Sequence, residues 1–177
     1  MSSKLSITLI GPGGAGKSTA AALIAERLGI ACVDLDRRFA HNAGDISEYI
    51  DRFGYDAYAR ENVETYRLVA QEETDACIAL SSGFMTYPRQ IHPDYMRLRG
   101  EVERSPTTFV LIPSLDREIC VAEIVRRQLA RPFARSLARE EDVIRQRFPI
   151  YVDLPARKIE TMRPLEAVVD EIVQSIQ

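Results

Sequence analysis

Gly11-Pro12-Gly13-Gly14-Ala15-Gly16-Lys17-Ser18 is an unbroken G-x-x-x-x-G-K-S stretch, and both of its flanks suit it. The alternating apolar run from Leu5 to Ile10 leads in and is expected to form a buried strand. Thr19 to Leu28 leads out with strong helix formers, and Gly29 closes it. Strand, glycine-rich loop and helix in this order make a phosphate cradle. Glycines let successive backbone N–H groups turn inward, and the helix N-terminus adds the positive end of its dipole. Lys17 is placed to reach the β- and γ-phosphates, and the Ser18 hydroxyl to ligate Mg²⁺. Gly11, Gly13, Gly14, Ala15, Gly16, Lys17, Ser18 and Thr19 are therefore the expected contacts to a nucleoside triphosphate.

Outward from the loop, short apolar runs recur at Ser6–Ile10, Ile30–Val33, Cys77–Leu80, Thr108–Ile112 and, weakly, Lys158–Glu160. Amphipathic stretches separate them near Ser18–Leu28, Asp56–Thr74, Arg117–Leu129, Arg139–Asp153 and Pro164–Ile176. The alternation predicts an α/β fold, a mostly parallel sheet covered by helices on both faces, with the phosphate site at the carboxyl ends of the strands. No repeat, linker or boundary divides residues 1–177, so a single domain is expected. A chain of this length buries about 70% of its unfolded surface without disulfides or metals. Phe84 to Pro106 carries three prolines and a histidine. It reads as a loop plus short helix inserted at the active-site end, where specificity tends to reside.

A net charge of −3 argues against a general nucleic-acid binder. Cys32, Cys77 and Cys120 each sit in an apolar run and are expected to be buried thiols in a reducing compartment. No secretory signal precedes the first strand, and no apolar stretch approaches the ~18 residues of a membrane span. A cytoplasmic location, no membrane partner, and a monomer rather than an oligomer are the expectations.

No Asn-Lys-x-Asp guanine reader is present, which argues against a GTPase. The strands ending Leu80-Ser81-Ser82 and Ile112-Pro113-Ser114 lack the metal-holding carboxylate of the large ATPases. Carboxylates follow instead in Val33-Asp34-Leu35-Asp36, where the alternation of an extended chain puts Asp34 and Asp36 on one side. Asp34 is then read toward the metal and Asp36 toward an acceptor hydroxyl. The competing explanation is a helix N-cap followed by a solvated acid.

Between Arg126 and Arg139 lie Arg126, Arg127, Arg131, Arg135 and Arg139, with no acid among them. Arg131-Pro132 splits the segment into two helices with a hinge, a lid over about 126–139. Arg131 is expected to stabilise charge on the transferring phosphoryl, while Arg135 and Arg139 belong to a solvated face. Arg127 is taken as a nucleotide contact. In Arg147-Phe148-Pro149-Ile150-Tyr151 a proline inside a helix turns Arg147 toward an anionic substrate, which a guanidinium grips in two places. At Thr161-Met162-Arg163-Pro164 a stacked Arg163 walls the adenine.

These pieces, in this order and over nearly the whole chain, resemble the shikimate kinase family. The loop resembles its phosphate loop, Asp34-Leu35-Asp36 its Asp-x-Asp, Ile46–Gly54 the start of its acceptor-binding helices, and Arg131-Pro132 its lid. Arg147-x-Pro-x-Tyr151 resembles the segment whose arginine holds the acceptor carboxylate. The resemblance implies a five-stranded sheet in the order 2-3-1-4-5, nucleoside monophosphate kinase-like, using ATP and Mg²⁺. It further implies that Asp36 accepts the proton of the acceptor hydroxyl, that Lys17 and Arg131 stabilise the phosphoryl group, and that Asp34 acts through the metal's water shell. Two departures are visible. The family's Phe-Arg pair is Tyr58-Ala59 here, and the nearest arginine, Arg60, stands about 100° further round a helix. The family's triple glycine becomes Ser81-Ser82-Gly83, with Phe84-Met85 after it, so Gly83 alone remains to contact the acceptor. A lost clamp and a bulky ring at the pocket floor each cost a few kcal/mol of acceptor binding when uncompensated. The acceptor is thus expected to be a small anionic molecule, shikimate first, gripped by Asp36, Arg60, Gly83 and Arg147. Another polyol or acid, or a non-catalytic ATP-binding module, are the alternatives.

Overall fold

Ile7 and Leu9 point to one side of the first strand and Ile10 to the other, and this two-residue period builds the layers of the molecule. The computed structural model describes residues 5–72, 75–130 and 137–176. Along it run β1 (Ser6–Ile10), α1 (Lys17–Leu28), β2 (Ala31–Asp34), α2 (Leu35–Ala43), α3 (Ile46–Phe53) and α4 (Tyr55–Gln71). Then come β3 (Ala76–Ala79), a 3-10 turn over Phe84–Thr86, α5 (Tyr95–Arg104), β4 (Thr108–Ile112), α6 (Arg117–Leu129), α7 (Leu137–Asp153), β5 (Arg157–Glu160) and α8 (Leu165–Ser175).

The five strands form one all-parallel sheet in the order β2-β3-β1-β4-β5, as the family resemblance implies. On one face Ile7, Leu9, Cys77, Phe109 and Leu111 pack against Ile24 of α1 and Ile172 of α8. On the other, Ile10, Ile78 and Val110 meet Phe39, Val63, Phe84 and Tyr95. A third cluster joins α6 to α7 through Ile124, Ile144 and Phe148. From β1 the chain winds outward to β2 on one side and to β4 and β5 on the other. The direction of winding reverses at the β1–β4 pair, where an open α/β sheet leaves its binding crevice.

Several expectations are corrected here. Asp34 caps α2, its side chain accepting from Arg37 N at 3.0 Å, so the helix starts at Leu35 and Asp36 lies in its first turn, not on an extended segment. Capping by a short carboxylate outcompetes strand continuation at this point. Cys32 is exposed, because β2 is the edge strand, whereas Cys77 and Cys120 are buried. The stretch after β3 is a loop followed by a short helix, as expected, but its side chains turn inward: Phe84, Met85, Ile91, Tyr95, Leu98 and Val102 are core residues. Among the described residues no helix is long and apolar enough to cross a membrane.

Candidate active site

The loop is built by close approach. Gly11 has φ +146°, and a Cβ on it would sit 2.1 Å from the Leu111 carbonyl oxygen of β4. Gly16, at φ +93°, is the residue before α1, whose first turn holds no acid and has no side-chain cap. The amides at this helix end, with their positive dipole, are therefore presented to the cleft. Lys17 is buried, and its ammonium donates to the Gly11 and Pro12 carbonyls at 2.8 and 2.9 Å.

Two cavities meet at the loop. The larger, about 580 Å³, runs from Gly13, Lys17 and Ser18 past Asp34 and Asp36 to Gly83 and Arg147. The smaller, about 190 Å³, is bounded by Ala15, Gly16, Thr19, Arg127, Thr161 and Arg163. Gly16 and Thr19 line both. Arg127 ties the loop to the end of β5: it donates to Gly14 O at 3.1 Å and to Thr161 O at 3.1 Å. Glu123 braces it, and hydrogen bonds from Arg126 and Arg127 hold the Glu123 carboxyl down at about 2. Arg163 donates to Glu160 O and pairs with Glu171 while facing the smaller cavity.

At the far end of the larger cleft Arg147 donates to Ser82 Oγ (3.3 Å) and to Tyr55 Oη (3.1 Å). Both partners are neutral oxygens, so the guanidinium keeps its charge for a ligand. Pro149 stands inside α7 two residues further on, and Tyr151 donates to Ser82 O at 2.6 Å, anchoring the helix to the turn after β3. Gly83 leaves room for its neighbours: a Cβ there would lie 2.6 Å from Tyr55 Oη and 3.2 Å from Arg147 Nη2, so a side chain would displace both. Asp36 accepts from Ser81 Oγ. Ile46 and Ile50 of α3 supply an apolar wall.

The loop from Gly13 to Thr19, Asp34, Asp36, Gly83, Arg127, Arg147 and Arg163 are thus brought around two adjoining cavities. Arg60 is not among them. It is exposed and donates to Ile91 O at 3.2 Å, turned away by the helical rotation that buries Tyr58 and Ala59 instead. Gly11 also lies behind the cleft wall, buried against β4. The Phe84 ring points into the core, against Tyr66 at 4.9 Å, and does not narrow the pocket floor. Arg131 and Arg135 lie outside the described residues. Sequence reasoning missed Tyr55, Tyr58, Ser82, Gln128 and Arg139, all of which line the larger cleft. Arg139, expected on a solvated face, was identifiable only as one more arginine in a basic run. Among the described residues no cluster of three or more His, Cys, Asp or Glu side chains could hold a metal alone.

A sequence model of the family described as Shikimate kinase matches residues 13–177. A shikimate kinase from a Marinomonas species is 33% identical over 78 residues, which cover 44% of this chain and 43% of that enzyme. The aligned stretch is thus under half of that relative's length. An adenylate kinase from Mycobacteroides abscessus is 27% identical across 94% of this chain and 90% of its own. Among solved structures, shikimate kinase from Acinetobacter baumannii in complex with shikimate superposes with a TM-score of 0.76 at 20% identity, covering 99% of this chain and 92% of that one. Such a likeness speaks for the fold, and the family match spans the loop from Gly13 onward, the acidic pair and the arginines that the cleft assembles. On that match, the chain belongs to the shikimate kinase family.

Proposed function

We propose that the chain transfers the γ-phosphoryl group of ATP to a hydroxyl of shikimate, as one kinase unit. The observation that carries this reading is the larger cleft, with a phosphate loop at one end, Arg147 at the other, and Asp36 between them. The amides of residues 13–18 and Lys17 hold the polyphosphate, and the smaller cavity, walled by Arg127 and Arg163, takes the adenine. Mg²⁺ suits the donors present, a Ser18 hydroxyl and the Asp34 carboxylate that both line the larger cleft, and the nucleotide would add phosphate oxygens. When bound it neutralises developing phosphate charge. Arg147 grips the acceptor carboxylate. Asp36 accepts the proton of the attacking hydroxyl, which makes that oxygen nucleophilic as the bond to phosphorus forms. Arg131, by the family resemblance, brings a second cation to the transferring group. The missing clamp at Ala59 leaves Arg147, with Tyr55 and Ser82 beside it, as the anchor for the carboxylate.

A coupled ADP-release assay over shikimate, quinate, gluconate and AMP tests this. Saturable stimulation by shikimate well above the others is expected. Stimulation by another acceptor in its place would move the substrate assignment, and tight ATP binding without turnover would make the chain a binding module.

A further inference from the structure

Behind Asp36 lies a buried chain of hydrogen bonds that phosphate handling does not use. Asp36 Oδ1 accepts from Ser81 Oγ at 2.5 Å. Ser81 Oγ accepts from Asn62 Nδ2 at 2.9 Å, and Asn62 Oδ1 accepts from Tyr87 Oη at 3.1 Å. Asn62 is fully buried on α4, Ser81 is 2% exposed at the end of β3, and Tyr87 is 5% exposed. The hydroxyl of Tyr58 lies against both Ser81 and Tyr87.

The chain has one direction. Burial pushes the Tyr87 hydroxyl well above its ordinary value, so it stays protonated and donates. An ionised carboxylate only accepts, so the Ser81 proton goes to Asp36, Ser81 Oγ accepts from the N–H₂ end of Asn62, and the Asn62 carbonyl oxygen is left to face Tyr87. The Tyr58 hydroxyl, which burial also keeps protonated, can donate to Ser81 Oγ and makes no demand on the Ser81 proton. Asp36 Oδ1 is thereby kept as an acceptor, and Oδ2 lies outside this chain of bonds on a residue that lines the cleft. Ser81 stands where the family carries the first of its glycines, and a glycine has no hydroxyl to give. Asn62 stands one helical turn beyond Ala59, the lost clamp.

We propose that Ser81 and Asn62 are positioning residues that orient Asp36, presenting Oδ2 to the acceptor hydroxyl. The inference rests on the proposed role of Asp36. In the step they serve, the acceptor O–H proton passes to Asp36 Oδ2, the freed lone pair bonds to the γ-phosphorus, and the β–γ bridging oxygen departs with ADP.

The test compares Ser81→Ala and Asn62→Leu in two backgrounds, native and Asp36→Ala, using shikimate phosphorylation at saturating ATP. With Asp36 present, each change should lower kcat about 10- to 100-fold, the size of effect that misorienting a reacting group produces, while the ATP KM moves less than about twofold. With Asp36 already removed, the same changes should cost less than about twofold more, because the group they orient is gone. Equal losses in both backgrounds would mean a merely structural role, and an unchanged kcat in the native background would also overturn the proposal. Ser81→Ala deletes one oxygen and carries the test if Asn62→Leu fails to fold. Failure of the underlying reading shows separately: Asp36→Ala alone would retain native turnover, or no acceptor would be phosphorylated by the native chain, and the proposal would fall with it.

Discussion

Arg147 is a guanidinium flanked by two neutral oxygens, and its fork geometry matters as much as its charge. Arg147→Lys keeps the charge and loses the two-point grip. A charge-assisted pair of this kind contributes about 1.5–3 kcal/mol, so the acceptor KM should rise about 10- to 100-fold with the ATP KM unchanged. Steady-state kinetics with each substrate varied would check this, and equal rises in both would remove Arg147 from the acceptor end. At this scale the sequence was legible where chemistry is unusual: a lysine after a glycine run, or an arginine two residues before a proline inside a helix. It was illegible where geometry decides. Arg60 and Ala59 differ by one step of helical rotation, and that step sends one to the Ile91 carbonyl and the other into the core. Nothing in the string Arg60-Glu61-Asn62-Val63 marks the amide as buried beside the valine.

The phosphate loop behaves as an element because β4 passes directly behind its first residue. Gly11→Ala would force a Cβ against a backbone oxygen that cannot swing away, at a φ of +146°. Gly16→Ala meets open space and pays for its φ of +93° alone. Backbone strain of the second kind costs about 1–3 kcal/mol, and overpacking of the first kind adds about 1–3 kcal/mol more. At about 2–4 °C per kcal/mol for a chain of this size, Gly11→Ala should melt several degrees below Gly16→Ala in thermal denaturation. Equal melting temperatures would show that β4 yields. Strands and long helices were legible in the sequence because burial imposes a strong period on them. Helix starts were harder. α2 starts at a carboxylate that also suited a strand end, Asp45 caps α3 by accepting from Ser47 N and Glu48 N at a start reached only through the family resemblance, and α5 was legible as a short helix among prolines but without its bounds. In each case a cap or a tertiary contact overrides the local pattern.

Over the whole molecule, charge pairs such as Arg27–Glu166 and Arg145–Glu118 join distant elements, while Glu123, paired within α6 to Arg126 and Arg127, has a predictable acid response. Its folded carboxyl is held at about 2 against an ordinary 4.5, so on acidification the unfolded chain takes up its proton first. The stability it lends is complete above about 4.5 and is lost as pH falls toward 2. An ion pair still reached by solvent is worth about 1 kcal/mol, or about 2–4 °C. Glu123→Gln should therefore melt that much lower than the native chain at pH 7, with the gap closing near pH 2. A gap that persists in acid would show that the residue contributes packing, not charge. The sheet order was reachable from the sequence through family resemblance, since residue periodicity alone fixes layers but not which strand neighbours which.

The two walls of the crevice come from different stretches of the chain. Asp36, Asn62, Ser81 and Gly83, on the side proposed for the acceptor, all precede β4, and Arg147 joins them from α7. The groove proposed for the base draws on Arg127, Thr161 and Arg163 after β4 and on Ala15, Gly16 and Thr19 of the loop near the start of the chain. Inheritance could therefore retune what is phosphorylated by altering the stretch from residue 36 to residue 83 while the fuel-handling residues on either side of it pass on untouched, and a lineage built this way can diversify its chemistry without renegotiating its energy source.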